Sequence, residues 1–251
     1  MDNPTLIPEN TIFNFLEIAN PFDETNKNLV SRIQSREIDG FVAKALISED
    51  EVRLVKQFLT NLSSDLYMPT PSGKIFPKPF AVIDNNKENL AQYEAFVQKL
   101  EQFKVEKSEI AIIFEKLRAF LAHAASEYKV STPFLKQDEI PVVAGTFRYL
   151  YPNRGGLYVH SGNYFQDQNE AFYSKLKNEV NREAQLSYFI VLQNADEGGE
   201  LSLYNLIWEK GHSKDNALNN DFIIGGNGSK IMIKDLETVK IRPKEGDILV
   251  F

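Results

Sequence analysis

Cysteine is absent from this 251-residue chain, which removes disulfides, thiolate nucleophiles, zinc fingers and iron–sulfur clusters together. Histidine is scarce: His123, His160 and His212 are the only three, so imidazole chemistry has few candidates. No apolar run reaches the roughly 18–20 residues that a membrane-spanning helix needs. The opening MDNPTLIPEN has no basic region ahead of an apolar stretch. No secretory signal is read there, and a cytoplasmic protein without a membrane partner is expected. Basic residues are outnumbered, 28 against 35 acidic, for a formal charge of −7. A nucleic-acid partner is not expected, because a phosphate backbone is held by clustered Lys and Arg. The 43% hydrophobic and 12% aromatic content is that of a globular chain long enough for a packed core.

Two kinds of periodicity divide the chain. Ser48 with Glu51 forms a capping-box pattern, followed by Val52, Val55, Phe58, Leu59 and Leu62 on one helical face. A second helix is predicted over 88–103, with Leu90, Tyr93, Val97 and Leu100 inward. A third begins near Ser108 and carries Ile110, Ile113, Phe114, Leu117, Leu121 and Ala124 as an apolar stripe. A short helix over 29–36 ends before Gly40, and 41–47 reads as a strand. The four prolines and the glycine of Tyr67 to Phe80 predict an irregular connector or a flap over a pocket.

From about Val142 the period becomes two. Strands are predicted over 143–151, 157–160, 185–193, 200–204, 229–233, 238–241 and 247–251. A turn at 152–156 separates the first two, Gly198 and Gly199 turn the chain into the strand at 200, and 211–228 reads as a long exposed loop. The 185–193 strand is apolar enough to be central in a sheet. The fold class expected is α+β: a jelly roll (double-stranded β-helix) with helices packed outside. A single domain is expected, mainly helical over 1–135 and with its jelly-roll core over 140–251.

Among the histidines, His123 lies inside the third helix beside the apolar stripe, where a packing role is expected. His212 falls in a polar loop. His160 ends a strand and is followed by Ser161, Gly162 and Asn163. Imidazole is a common ligand for iron and similar ions, and strand ends around a barrel mouth can converge several ligands. Non-haem iron oxygenases use two histidines and a carboxylate. In a strand, residues i and i+2 face the same way, so both can reach one ion. Here the i+2 residue is Gly162, which is equally readable as a backbone position needing unusual φ.

Taken in order, His160-Ser161-Gly162-Asn163, Gln185 to Ile190, Gly198-Gly199-Glu200-Leu201 with Tyr204-Asn205-Leu206, and Gly246-Asp247 before an apolar strand resemble a known family. These segments are similar to the iron(II)/2-oxoglutarate-dependent oxygenases, and most to the carrier-protein-independent halogenases of hapalindole- and welwitindolinone-type alkaloids. Similarity is clearest over 146–208 and 243–251 and thin across the N-terminal helices. The resemblance implies iron(II), 2-oxoglutarate and chloride as cofactors. It also implies a small-molecule substrate that needs no carrier protein, with succinate and carbon dioxide released. It makes His160 an iron ligand and Gly162 the side-chain-free position where chloride replaces a carboxylate. Ser187 matches a serine near the iron that steers the outcome toward chlorination. Leu157 and Phe165 match positions lining the substrate pocket, and Arg148 and Tyr204 match positions facing 2-oxoglutarate.

The sequence also departs from the family. The second iron-binding histidine and the basic partner of the distal 2-oxoglutarate carboxylate normally follow the Gly-Asp strand, and here Phe251 ends that strand. The expectation is that the natural chain continues, with the second histidine beyond Phe251, and that the last strand leaves an unpaired edge. Two other readings stay open: a hydroxylase of the same fold, and a catalytically silent jelly-roll binding module. The substrate is not legible.

Overall fold

A computed structural model of the chain describes residues 12–77, 87–106, 108–132, 134–135, 140–143, 145–154, 186–206, 221–225 and 228–251. Four α-helices form within them: α1 (Leu29–Gln34), α2 (Glu49–Asn61), α3 (Lys87–Glu106) and α4 (Ser108–Ala124). The capping box opens α2 as its sequence predicts. The Ser48 hydroxyl accepts the Glu51 N–H, and the Glu51 carboxylate accepts the Ser48 N–H at 2.8 Å, so two end donors are satisfied reciprocally. Glu49, Asp50 and Glu51 in the first turn suit the positive end of the helix dipole. Val52 and Val55 are buried on α2, Tyr93, Val97 and Leu100 on α3, and Ile110, Ile113, Leu117, Phe120 and Ala124 on α4.

The central sheet has four strands: β1 (Phe15–Ile18), β2 (Gly40–Ala43), β13 (Ile248–Val250) and β8 (Tyr188–Ile190), in that order. β1 runs parallel to β2, whereas β13 is antiparallel to both β2 and β8. The last strand is therefore central. The expectation of an unpaired edge there is corrected, because β2, drawn from the N-terminal part, takes up its free side. The strand predicted over 185–193 is shorter than expected and lies at the end of this sheet among the described residues, not at its centre. β2 stops at Ala43 because Ala45 turns to a left-handed φ of 49°. Gly40 is needed for close approach, since a Cβ there would meet the Phe15 ring at 2.4 Å and the Val250 carbonyl oxygen at 2.5 Å.

Alternation sorts the side chains of this sheet onto two faces. Phe41, Ala43, Ile248 and Val250 pack against α2 and α4, joined by Tyr188 and Ile190. Val42, Leu249, Phe189 and Phe251 point the other way. That second face is covered by β9 (Leu201–Tyr204) and β12 (Thr238–Ile241), an antiparallel pair contributing Leu201, Leu203, Val239 and Ile241. Each such aliphatic side chain, fully buried, contributes about 1.5–3 kcal/mol. The result is mixed α+β: helices, a sheet and a facing second sheet. Two facing sheets belong to the expected jelly roll, but among the described residues the strands do not close into a barrel.

Two segments predicted as irregular contain strands. Within Tyr67 to Phe80, β3 (Met68–Thr70) and β4 (Gly73–Phe76) form a hairpin, and β4 pairs with β7 (Phe147–Leu150). The prolines are tolerated because β3 is an outer strand of that sheet, where a missing N–H costs no ladder bond, and Pro71 falls in the turn. Within 211–228, β10 (Phe222–Ile224) pairs with β11 (Lys230–Met232). Two short strands, β5 (Phe134–Leu135) and β6 (Ile140–Pro141), complete the set. Among the described residues the mainly helical N-terminal part thus supplies five strands, two of them to the central sheet.

Candidate functional site

The inner face of the central sheet is where Ser187 lies. Directly before β8, the Ser187 N–H donates to the Phe251 carbonyl oxygen at 2.8 Å, and the Phe251 N–H returns a bond to the Ser187 carbonyl at 3.0 Å. The two residues therefore extend the β13–β8 ladder by one pair. Residues directly opposite one another share a face, so the serine hydroxyl stands on the side of Phe251 and, by the period of two, of Phe189 and Leu249. The rings of Phe189 and Phe251 meet edge to face at 6.4 Å. Ser187 and Phe251 are both half-buried. Tyr188, between Ser187 and Phe189, points to the helical side, where burial raises the pKa of its phenol.

Arg148 sits on a different sheet. On β7 it lies opposite Ile75 of β4, on the face away from Phe76 and Phe147, whose rings stack at 6.5 Å. Its side chain is exposed by area, yet enough protein surrounds the guanidinium for desolvation to lower its pKa. The exposure governs its accessibility to a ligand, and arginine stays charged at any working pH. Tyr204 lies opposite Thr238 on β9. Alternation puts it with Ser202 and Lys240 on the face turned away from Leu201, Leu203 and the central sheet. The structure therefore brings Ser187 together with Phe189 and Phe251, and leaves Arg148 and Tyr204 on other surfaces. Gly198 and Gly199 both take left-handed φ, 73° and 78°, as the turn before β9 requires.

His160, Gly162, Leu157, Phe165 and His212 lie outside the described residues. His123 is described, and its ring does the packing work expected. Its Nε2 lies 2.8 Å from the Asp23 carbonyl oxygen, and Phe22 meets the ring at 5.8 Å. It sits on α4, on the opposite side of the central sheet from Ser187. Among the described residues no three His, Asp or Glu side chains come together to hold a metal ion, so these residues provide no ligand set by themselves.

A residue whose structural part was not legible in the sequence is Asp247. It is only 3% exposed, and its carboxylate accepts the Ala45 N–H at 2.9 Å and the Lys244 N–H at 2.8 Å. This clamp ties the left-handed turn after β2 to the turn that opens β13, and so sets where β13 enters the sheet. The signal was the Gly-Asp pair before an apolar strand, which carried the family resemblance but not the geometry.

A model of the family described as carrier-protein-independent halogenase WelO5 matches residues 12–251 of the chain. No curated protein matches it. Among the described residues no helix is long and apolar enough to cross a membrane.

Proposed function

The chain belongs to the carrier-protein-independent halogenase family, and from that membership we propose that it chlorinates an unactivated sp3 carbon of a freestanding small molecule. The balanced reaction takes substrate C–H, 2-oxoglutarate, O2, chloride and a proton to substrate C–Cl, succinate, carbon dioxide and water. Iron(II), when bound, would let O2 act as the oxidant that removes the hydrogen atom, with 2-oxoglutarate giving up two of the four electrons that O2 takes. In this reading His160 holds the ion and Gly162, having no side chain, leaves room for chloride where a carboxylate would stand. The Ser187 hydroxyl donates a hydrogen bond beside the reacting atoms. Leu157 and Phe165 line the substrate's apolar side.

The observation that supports this reading is the span of the family match, residues 12–251, which includes His160, Gly162, Ser187 and the Gly246-Asp247 turn. The test is a mass-spectrometric screen of the full-length protein with iron(II), 2-oxoglutarate, O2 and chloride against a panel of small molecules. Chlorinated product that disappears when chloride is withheld is the expected result. Hydroxylated product alone, at saturating chloride and across the panel, would make the protein a hydroxylase instead. Failure to bind iron(II) would leave a silent binding module.

A further inference from the structure

We propose that Phe251 is the positioning residue for Ser187, with Phe189 as its brace. The inference rests on the halogenase reading and adds to it two residues that place the serine. Three observations converge on this pair. The main chains of Ser187 and Phe251 exchange both hydrogen bonds, at 2.8 Å and 3.0 Å, which brings their Cα atoms to about 5.5 Å, the spacing of a hydrogen-bonded antiparallel pair. Both side chains lie on the face between the two sheets. The Phe251 ring is held from the side by Phe189 at 6.4 Å, in an edge-to-face contact, and both rings pack against Val42, Val239, Ile241 and Leu249.

Each observation contributes a different constraint. The paired main chain fixes the height of the serine along the ladder. The braced ring presents apolar surface on the side of the hydroxyl, which disfavours water there. A serine hydroxyl otherwise rotates to suit whatever partner is near. Here the ring limits that freedom and narrows the directions open to the hydroxyl. The anchor strand is itself fixed, because β13 is paired on both sides and clamped at its start by Asp247.

The test uses the full-length protein and four variants: Ser187→Ala, Phe251→Ala, Phe251→Tyr and Phe189→Leu. Without metal, amide hydrogen exchange at Ser187 reports the pair. Phe251→Ala is expected to speed it about 2- to 10-fold, the worth of one aromatic pair, and Phe251→Tyr to leave it unchanged. The second readout is the electron paramagnetic resonance signal of the protein with iron(II), 2-oxoglutarate, chloride and nitric oxide as probe. Ser187→Ala and Phe251→Ala should move that signal in the same direction, and Phe251→Tyr should restore it. If Phe251→Ala folds poorly, Phe189→Leu removes the same contact from the other side and is measured in its place. A signal that Ser187→Ala moves and loss of either ring does not would overturn the positioning role alone. A wild-type protein with no iron-dependent signal would overturn the halogenase reading and this role with it.

Discussion

The Asp247 carboxylate accepts the backbone N–H of Ala45 at 2.9 Å across 202 residues of sequence, and in doing so fixes the strand that backs Ser187. The same carboxylate takes the Lys244 N–H. Replacing it with alanine strands two backbone donors in a buried site. Asp247→Ala is expected to cost about 2–4 kcal/mol, measured as a lower urea midpoint with an unchanged slope. A midpoint within error of wild type would show that the clamp carries no weight.

Gly246 beside it is fixed by two independent constraints. Its φ is 88°, and a Cβ built on it would lie 2.2 Å from the Ile47 carbonyl oxygen, the residue whose N–H donates to the Gly246 carbonyl at 3.0 Å. The left-handed backbone alone costs roughly 1–2 kcal/mol for an L side chain, and the clash adds to it. Gly246→Ala should therefore lower stability by more than that range, in thermal or urea unfolding. A smaller loss would mean that the turn can rearrange.

Acid sensitivity is expected at the junction of α2 and α4. Burial acts to raise the Glu51 pKa, but the Lys116 ammonium at 2.6 Å and the Ser48 N–H and hydroxyl outweigh it, and the carboxyl sits below its ordinary range. A carboxyl with a depressed folded-state pKa stabilises fully above its unfolded-state pKa and loses that contribution as pH falls through the folded value. The stability gap between wild type and Glu51→Gln should thus be present at neutrality and close in acid. A gap that stays constant across the carboxylate range would rule this linkage out.

His160→Ala should lose iron(II) affinity by more than the ~10–100-fold that changing even a hydrogen-bond partner of a ligand costs, as followed by metal titration. Gly162→Asp should keep the iron and suppress chlorination, because a carboxylate then fills the position that chloride needs. Undiminished chlorination in that variant would defeat the vacancy argument. Gain of hydroxylation is not required, since the substrate must also be aimed.

Much of the helical layer was legible. The Ser48–Glu51 box and the 3.6-residue stripe of Ile110, Ile113 and Leu117 are local signals, and α2 and α4 begin where they predict. The β12 strand matches its predicted bounds because alternation between Val239 and Ile241 is local too. The β3–β4 hairpin was not legible, since its prolines argue against a strand until the outer position of β3 is known. β10 was hidden in the same way by the Asn- and Gly-rich surroundings of Phe222.

By itself the sequence determined the helices, most of the strands described after Val142, and the order of motifs that marks the family, including Ser187. These depend on residues near one another along the chain, where propensity, capping and alternation act directly. Only the tertiary structure decided that the Gly246–Phe251 segment is central, that Ser187 is paired with Phe251, and that Tyr204 faces away from both. Those outcomes depend on which strands meet, and β13 meets β2 across about four-fifths of the chain. No local pattern encodes such a partner. Burial of Leu249 against Val42 on one face and of Ile248 and Val250 against the helices on the other selects it.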